Sequence, residues 1–283
     1  MTDIKKLQEI NLSMAKEFYV FCERNDLLCY LCGGGCIGAV RDGGMIPWDD
    51  DLDFFMPRAD YEKACRLWKN GRYVLEKASE SLVTHDLFFK IRDSRTTYIR
   101  EYEMDVDAVR GVSLDVLPLD GYPENRISRI AQCIWAYIYS LYCSQLIPRN
   151  HGKMVQLVSR VLLVLIPGRN SRYRIWRFAE KQMIKYPMDR CIGYTELCSG
   201  PKYMKNCYPK DVFSRAVKVP FEDGVMPIPV GFDCYLKTAF GDYMKLPPEE
   251  ERIPSHDAVV IDLDKPYDEW KKEHDAVNNH TGL

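Results

Sequence analysis

The stretch "GGMIPWDDDLDFFMPRADY", residues 43–61, holds Asp49, Asp50, Asp51 and Asp53 within five positions, set against Leu52, Phe54, Phe55 and Met56. Like charges this close repel and raise one another's pKa, so such a cluster calls for a cation or for solvent. A strand over residues 51–56 would project Asp51 and Asp53 from one face, because residues i and i+2 of a strand point the same way. Two carboxylates in this D-x-D spacing suit a divalent cation, since Mg²⁺ takes one or two carboxylates together with phosphate oxygens and water. The matching chemistry is phosphoryl or nucleotidyl transfer. An exposed acidic turn is the plainer alternative, and the apolar neighbours speak against it.

Transfer to a hydroxyl needs a group near the metal to take the proton. In "GVSLDVLPLDGYP", residues 111–123, Asp115 is the one charge inside a short buried strand marked by Val112, Leu114, Val116 and Leu117. Asp120, followed by Gly121 and Pro123, is expected to end that strand in a turn. Upstream, an apolar run at 27–32 reads as a strand and leads into "GGGCIGAVRDGG". The glycines at Gly34 and Gly35 would let the backbone approach a phosphate, with the free N–H groups of a new helix pointing at it. Lys90 and Arg92 in "FFKIRDS" share one face of a strand and could reach phosphate oxygens, as could Arg41 one helical turn beyond the glycines. Surface salt bridges are the competing account of each.

The elements that must position these residues follow from periodicity. Residues 4–24 carry an apolar helical stripe with charges opposite. Residues 130–148 are uncharged, yet Gln132, Ser140, Ser144 and Gln145 make an interfacial or buried helix a better reading than a membrane span of ~20 apolar residues. Residues 148–185 hold nine Lys or Arg against one acid, Glu180. Basic, amphipathic helices suit either the anionic face of a membrane or a solvated helical subdomain. The proline-rich C-terminal third is expected to return a strand and a helix against the core, with a charged exposed tail after Pro266.

Composition sets the limits. The 283 residues, 46% hydrophobic and 28% charged, fit one large domain or a domain with an insertion, and the net charge of -2 gives no reason to expect nucleic acid. Eleven scattered cysteines and no apolar leader after Met1 read as a cytoplasmic protein with free thiols. Cys29 and Cys32 form a C-x-x-C within a strand, where i and i+3 face opposite ways.

The residues Gly34, Gly35, Gly38, Arg41, Ile46, Pro47, Trp48, Asp49, Asp51 and Asp53 resemble the signature of the LicD family of phosphocholine and related phosphotransferases, distantly similar to fukutin. The likeness continues through "FFKIRDSRTTYI", "SLDVLPLDGYP" and "YLKTAFGDYMKLPPEEERIPSH". It implies an α/β (α+β) fold with a nucleotidyltransferase-like mixed-sheet core. The expected organisation is one LicD-type domain over residues 1–283, its core at 1–124 and 186–265 and a helical, basic and apolar insertion at 125–185. The resemblance further implies that Asp51, Asp53 and Asp115 surround Mg²⁺ or Mn²⁺, with CDP-choline as donor. The implied acceptor is a sugar hydroxyl of a cell-surface glycan such as a lipopolysaccharide or teichoic acid precursor, lipid-linked in some cases, which favours a place at the inner face of the cytoplasmic membrane. His256 matches a family position and either contacts substrate or fixes a loop. Trp48 is the first candidate for the aromatic face a quaternary ammonium needs, ahead of Phe88, Phe89, Tyr98 and Tyr102. One departure is "GGCIG", where many relatives carry Gly-Thr-Leu-Leu-Gly, so Gly35 lacks a hydroxyl for phosphate. Other readings are transfer of ribitol phosphate, glycerol phosphate or a nucleotide, and a noncatalytic scaffold that binds glycan or membrane.

Overall fold

A computed structural model describes residues 4–104, 106–147, 152–254 and 258–281. Helix α1 (Ile4–Arg24) buries Leu7, Asn11, Met14, Ala15, Phe18 and Cys22, the three-to-four-residue spacing of one helical face. That face lies on a mixed sheet, with Phe18 edge-on to Phe54 at 5.1 Å between ring centroids.

The sheet runs in the order β1 (Tyr30–Cys32), β2 (Asp53–Pro57), β6 (Ser113–Pro123), β4 (Phe89–Asp93) and β3 (Tyr73–Glu76). Only the β2 and β6 pair is parallel among these; the other neighbours are antiparallel. Helix α2 (Gly33–Arg41) follows β1, α3 (Arg58–Leu67) follows β2, and β5 (Thr97–Arg100) lies between β4 and β6 in the chain. The end of β6 pairs with β7 (Cys191–Thr195), which continues to β8 (Tyr208–Pro209). A hairpin of β9 (Ala216–Phe221) and β10 (Gly224–Pro229) precedes α7 (Phe232–Phe240), and β11 (Ala258–Asp262) pairs with β5 before α8 (Tyr267–Thr281). The mixed sheet with helices is the expected α/β class.

Between β6 and β7 stand α4 (Arg126–Ser144), α5 (Gly152–Leu165) and α6 (Arg169–Met183). Their core of Ala136, Tyr139, Cys143, Trp176, Ala179 and Met183 is shared with Leu197, Cys198 and Met204 from the segment after β7. Gln132 on α4 donates to the carbonyls of Gly121 and Met183 at 2.9 Å each, tying the helices to the sheet. Among the described residues no helix is long and apolar enough to cross a membrane.

Four local expectations need correction. The glycines do not precede a helix but form its first turn, since α2 begins at Gly33. Strand β2 starts at Asp53, leaving Asp51 on the approach to it. Asp120 does not end β6; it lies inside the strand, buried, where Arg58 donates to its two oxygens at 2.7 Å each and β7 supplies the backbone pairing. The segment after Pro266 is helix α8, with Tyr267 buried, rather than a tail. All eleven cysteines are free thiols, including Cys29 and Cys32, both buried.

Candidate active site

The parallel pairing of β2 with β6 sets Asp53 directly beside Asp115, and β4 on the other side sets Lys90 beside Asp115. Paired residues of neighbouring strands share a face of the sheet, so the three side chains form one transverse row. The Nζ of Lys90 lies 3.4 Å from Asp115 and 3.1 Å from Asp86. Ser113, two residues before Asp115 and therefore on the same face, donates to its Oδ1 at 3.1 Å.

The loop before β2 brings a second group of acids. Asp49, Asp50 and Asp51 each offer a carboxylate oxygen within 4.8 Å of the others. Helix α1 fixes this loop from below: Gln8 donates to the carbonyls of Ile46 and Asp49, and Asn11 donates to that of Asp50 at 2.8 Å. Tyr98 on β5 donates to Asp50 Oδ2 at 3.4 Å. The first turn of α2 presses against the same loop. A Cβ on Gly34 would stand 2.0 Å from Asp49 Oδ2, so a larger residue there would have to displace the Asp49 carboxylate. The Gly33 N–H donates to the Tyr235 hydroxyl of α7 at 2.9 Å.

Electrostatics divides the acids into two kinds. Burial, reinforced by Asp51 and Asp50, pushes Asp49 up to about 7. Burial, with Asp115 and Asp50, pushes Asp51 up to about 6 against the relief offered by Arg100 and Lys90. Asp53 is driven well above the ordinary carboxylate range by burial and by Asp51 and Asp115. At Asp115 burial also opposes charge, yet Lys90, Arg100, Arg92 and the Ser113 hydroxyl outweigh it and hold the carboxyl below its usual range. One acid of the row is thus held ionised, and its neighbours hold charge at a cost. An all-oxygen donor set of crowded carboxylates fits a hard divalent cation such as Mg²⁺ or Mn²⁺.

The remaining sequence candidates separate. Gly34 and Gly35 lie at the acid loop, and Gly35 packs between Leu52 and Leu31. Arg41 sits at the far end of α2 from the glycines, paired with Asp42 at 2.9 Å. Arg92 is almost wholly buried, with Glu76 at 3.1 Å, Glu103 in contact and the Gly111 carbonyl at 3.3 Å. Its donors serve a buried ion network behind the row rather than an open surface. Trp48 is half-buried beside Asp49, with the Arg252 guanidinium 5.7 Å from its ring centre. Phe89 belongs to the core, tilted against Tyr61 with ring centroids 4.8 Å apart. His256 lies outside the described residues.

Sequence reading passed over Asp86 and Arg100, and named Tyr102 only as an aromatic face. Tyr102 accepts from Arg100 at 3.2 Å and lies 3.4 Å from both Lys90 Nζ and Asp86 Oδ1. Asp86 sits four residues before Lys90, a spacing visible in the sequence, whereas Arg100 ends β5, Tyr102 lies in the turn after it, and neither carries a local mark.

Residues 26–135 match the family model described as LicD/FKTN/FKRP, nucleotidyltransferase domain. The chain is also 27% identical over 263 residues to the lipopolysaccharide cholinephosphotransferase LicD of Haemophilus influenzae, covering 89% of this chain and 96% of that protein. The matched segment contains β2, β4, β6 and the whole acidic row. Through that domain the chain is similar to the LicD family of phosphotransferases.

Proposed function

We propose that this enzyme transfers phosphocholine from CDP-choline to a sugar hydroxyl of a cell-surface glycan precursor. The observation that carries the reading is the transverse row of Asp53, Asp115 and Lys90 next to the first turn of α2. It combines acids for a cation with a lysine and free helix N–H groups for phosphate, which is what a diphosphate donor requires. Similarity to the Haemophilus influenzae protein supports choline as the alcohol.

Asp51, Asp53 and Asp115 are the residues that would hold Mg²⁺ or Mn²⁺, and the bound cation would neutralise charge on the donor's diphosphate. The first turn of α2 offers N–H groups to the same phosphates, with the Gly35 backbone standing in for the missing side-chain hydroxyl. Lys90 is shared between Asp86 and Asp115. A phosphate that draws Lys90 away would leave Asp115 less stabilised as an anion, raising its affinity for a proton at the moment one must be accepted. The sugar oxygen then bonds to the choline-bearing phosphorus, its proton passes to Asp115, and the P–O bond to the nucleoside phosphate breaks to release CMP.

The test is CMP release from CDP-choline in the presence of a glycan acceptor, with and without Mg²⁺ or Mn²⁺, for wild type and an Asp51→Ala, Asp53→Ala double variant. Metal-dependent release that the variant lacks is the expected result. Release only from CDP-ribitol or CDP-glycerol would reassign the alcohol. Retained release in the double variant would overturn the acid row as the site.

A further inference from the structure

Helix α5 places its apolar residues the wrong way round for a soluble protein. Its buried side chains are Ser159 and Leu163, while Met154, Leu157, Val164 and Leu165 are 73%, 57%, 71% and 66% exposed. At about 100° per residue, Met154, Val158, Val161 and Leu165 fall on one face, and Val155 and Leu162 widen it on one side. Lys153, Leu157, Arg160 and Val164 form the other border at i, i+4, i+7 and i+11, so two cations stand along the rim of the apolar arc. This arc opens into a groove of about 1090 Å³ between α4, α5 and α6, lined by Tyr137, Leu141, Val158, Leu162 and Phe178 with Arg174 among them.

We propose that α5 and this groove seat the protein on an anionic lipid bilayer, with the apolar arc in the acyl region and the cations at the headgroups. Charge decides the occupant. Residues 148–185 carry nine Lys or Arg against one acid in a chain whose net charge is -2, so the positive charge is concentrated where the apolar surface is exposed. Lys and Arg at the rim of an apolar face keep their heads at headgroup level while their stems lie along the lipid. A second copy docking on the same face would bring two basic surfaces together, a like-charge contact that disfavours self-association. The inference stands on α5 and the groove alone and does not depend on which group the enzyme transfers.

Flotation of the full chain with vesicles tests it. Wild type is expected to float with phosphatidylcholine vesicles containing about a third phosphatidylglycerol, to release as salt is raised, and to stay in solution with phosphatidylcholine alone. A Lys153→Glu, Arg160→Glu variant should bind the anionic vesicles at least about thirtyfold less, since each cation near an anionic surface is worth about 1 kcal/mol. A Met154→Glu, Leu165→Glu variant, altered at exposed positions, should lose flotation while its circular dichroism is unchanged. The proposal is overturned if wild type does not float at low salt, or if both variants float as it does. It is equally overturned if wild type is a dimer in solution that the Met154→Glu, Leu165→Glu change turns into a monomer without any vesicle binding in wild type. Should that apolar variant misfold, the charge-reversal variant decides alone: weakened flotation upholds the proposal, and flotation equal to wild type overturns it.

Discussion

The sheet around β6 and the helical unit of α4, α5 and α6 depart from ordinary protein architecture in opposite directions. The first draws charge inward: Lys90, Arg92 and Glu103 are nearly fully buried, and the acid row sits among apolar strands. The second turns grease outward, leaving most of α5 exposed. A chain that needed only to fold would do neither, because burying charge and exposing large apolar faces both cost stability. The two departures lie in different layers, so each can be altered while the other is left in place.

The largest expected effect comes from Asp53. An Asp53→Asn variant should lower CMP release by about 10³-fold, the order seen when a preorganised electrostatic group is lost. In metal-free buffer, at a pH high enough to ionise Asp53, the same change should raise the thermal midpoint, because it removes a buried charge crowded by Asp51 and Asp115. Opposite movements of activity and stability would mark the row as functional strain. Lower stability with intact activity would make it merely structural.

Next comes the ion network behind the row. Glu103→Gln leaves Arg92 with one carboxylate fewer and should cost about 3 kcal/mol at neutral pH, read by urea unfolding. Burial opposes charge on Glu103, but Arg92 and Lys90 prevail and hold its carboxyl below the ordinary glutamate range. A depressed folded value means that the pairing contributes fully above the unfolded pKa of ~4.3 and fades as pH falls through the folded value. Wild type and variant should therefore converge in stability in acid, and parallel curves from pH 7 to pH 3 would refute the pairing.

The smallest effect belongs to the helices. Leu163→Ala removes one of the few buried side chains of α5 and should cost about 2 kcal/mol, with CMP release at 25 °C kept within about twofold. A collapse of activity would show that the two layers are coupled more tightly than their packing indicates.

Much of the site could be read from residue spacing because its signals are local. D-x-D, a lone acid in an apolar run and three consecutive glycines each announce themselves within a few positions. What escaped reading depends on strand neighbours. Arg92 shares the face of Lys90, as alternation requires, yet β3 brings Glu76 beside it and the turn after β5 brings Glu103, and neither approach is written near "FFKIRDS". Asp120 looked like a turn because Gly121 and Pro123 follow, but the pairing of β6 with β7 and the fork from Arg58 carry the strand through. The helical character of the unit between β6 and β7 was legible from hydropathy and charge. The unit's sharing of a core with Leu197 and Met204 was not.

The hydrogen bond from the Gly33 N–H to Tyr235 also fixes an order of events during synthesis. The glycine helix leaves the ribosome early, but the hydroxyl that receives its first N–H is made 120 residues after Asp115, roughly 6 to 24 s later at typical elongation rates. Until then the acid row has its strands but not the α7 contact at the head of α2. A ribosome that stops before position 235 therefore yields a chain with every acid in place and an incomplete cradle, so truncated products carry the charge of the site without its finished form.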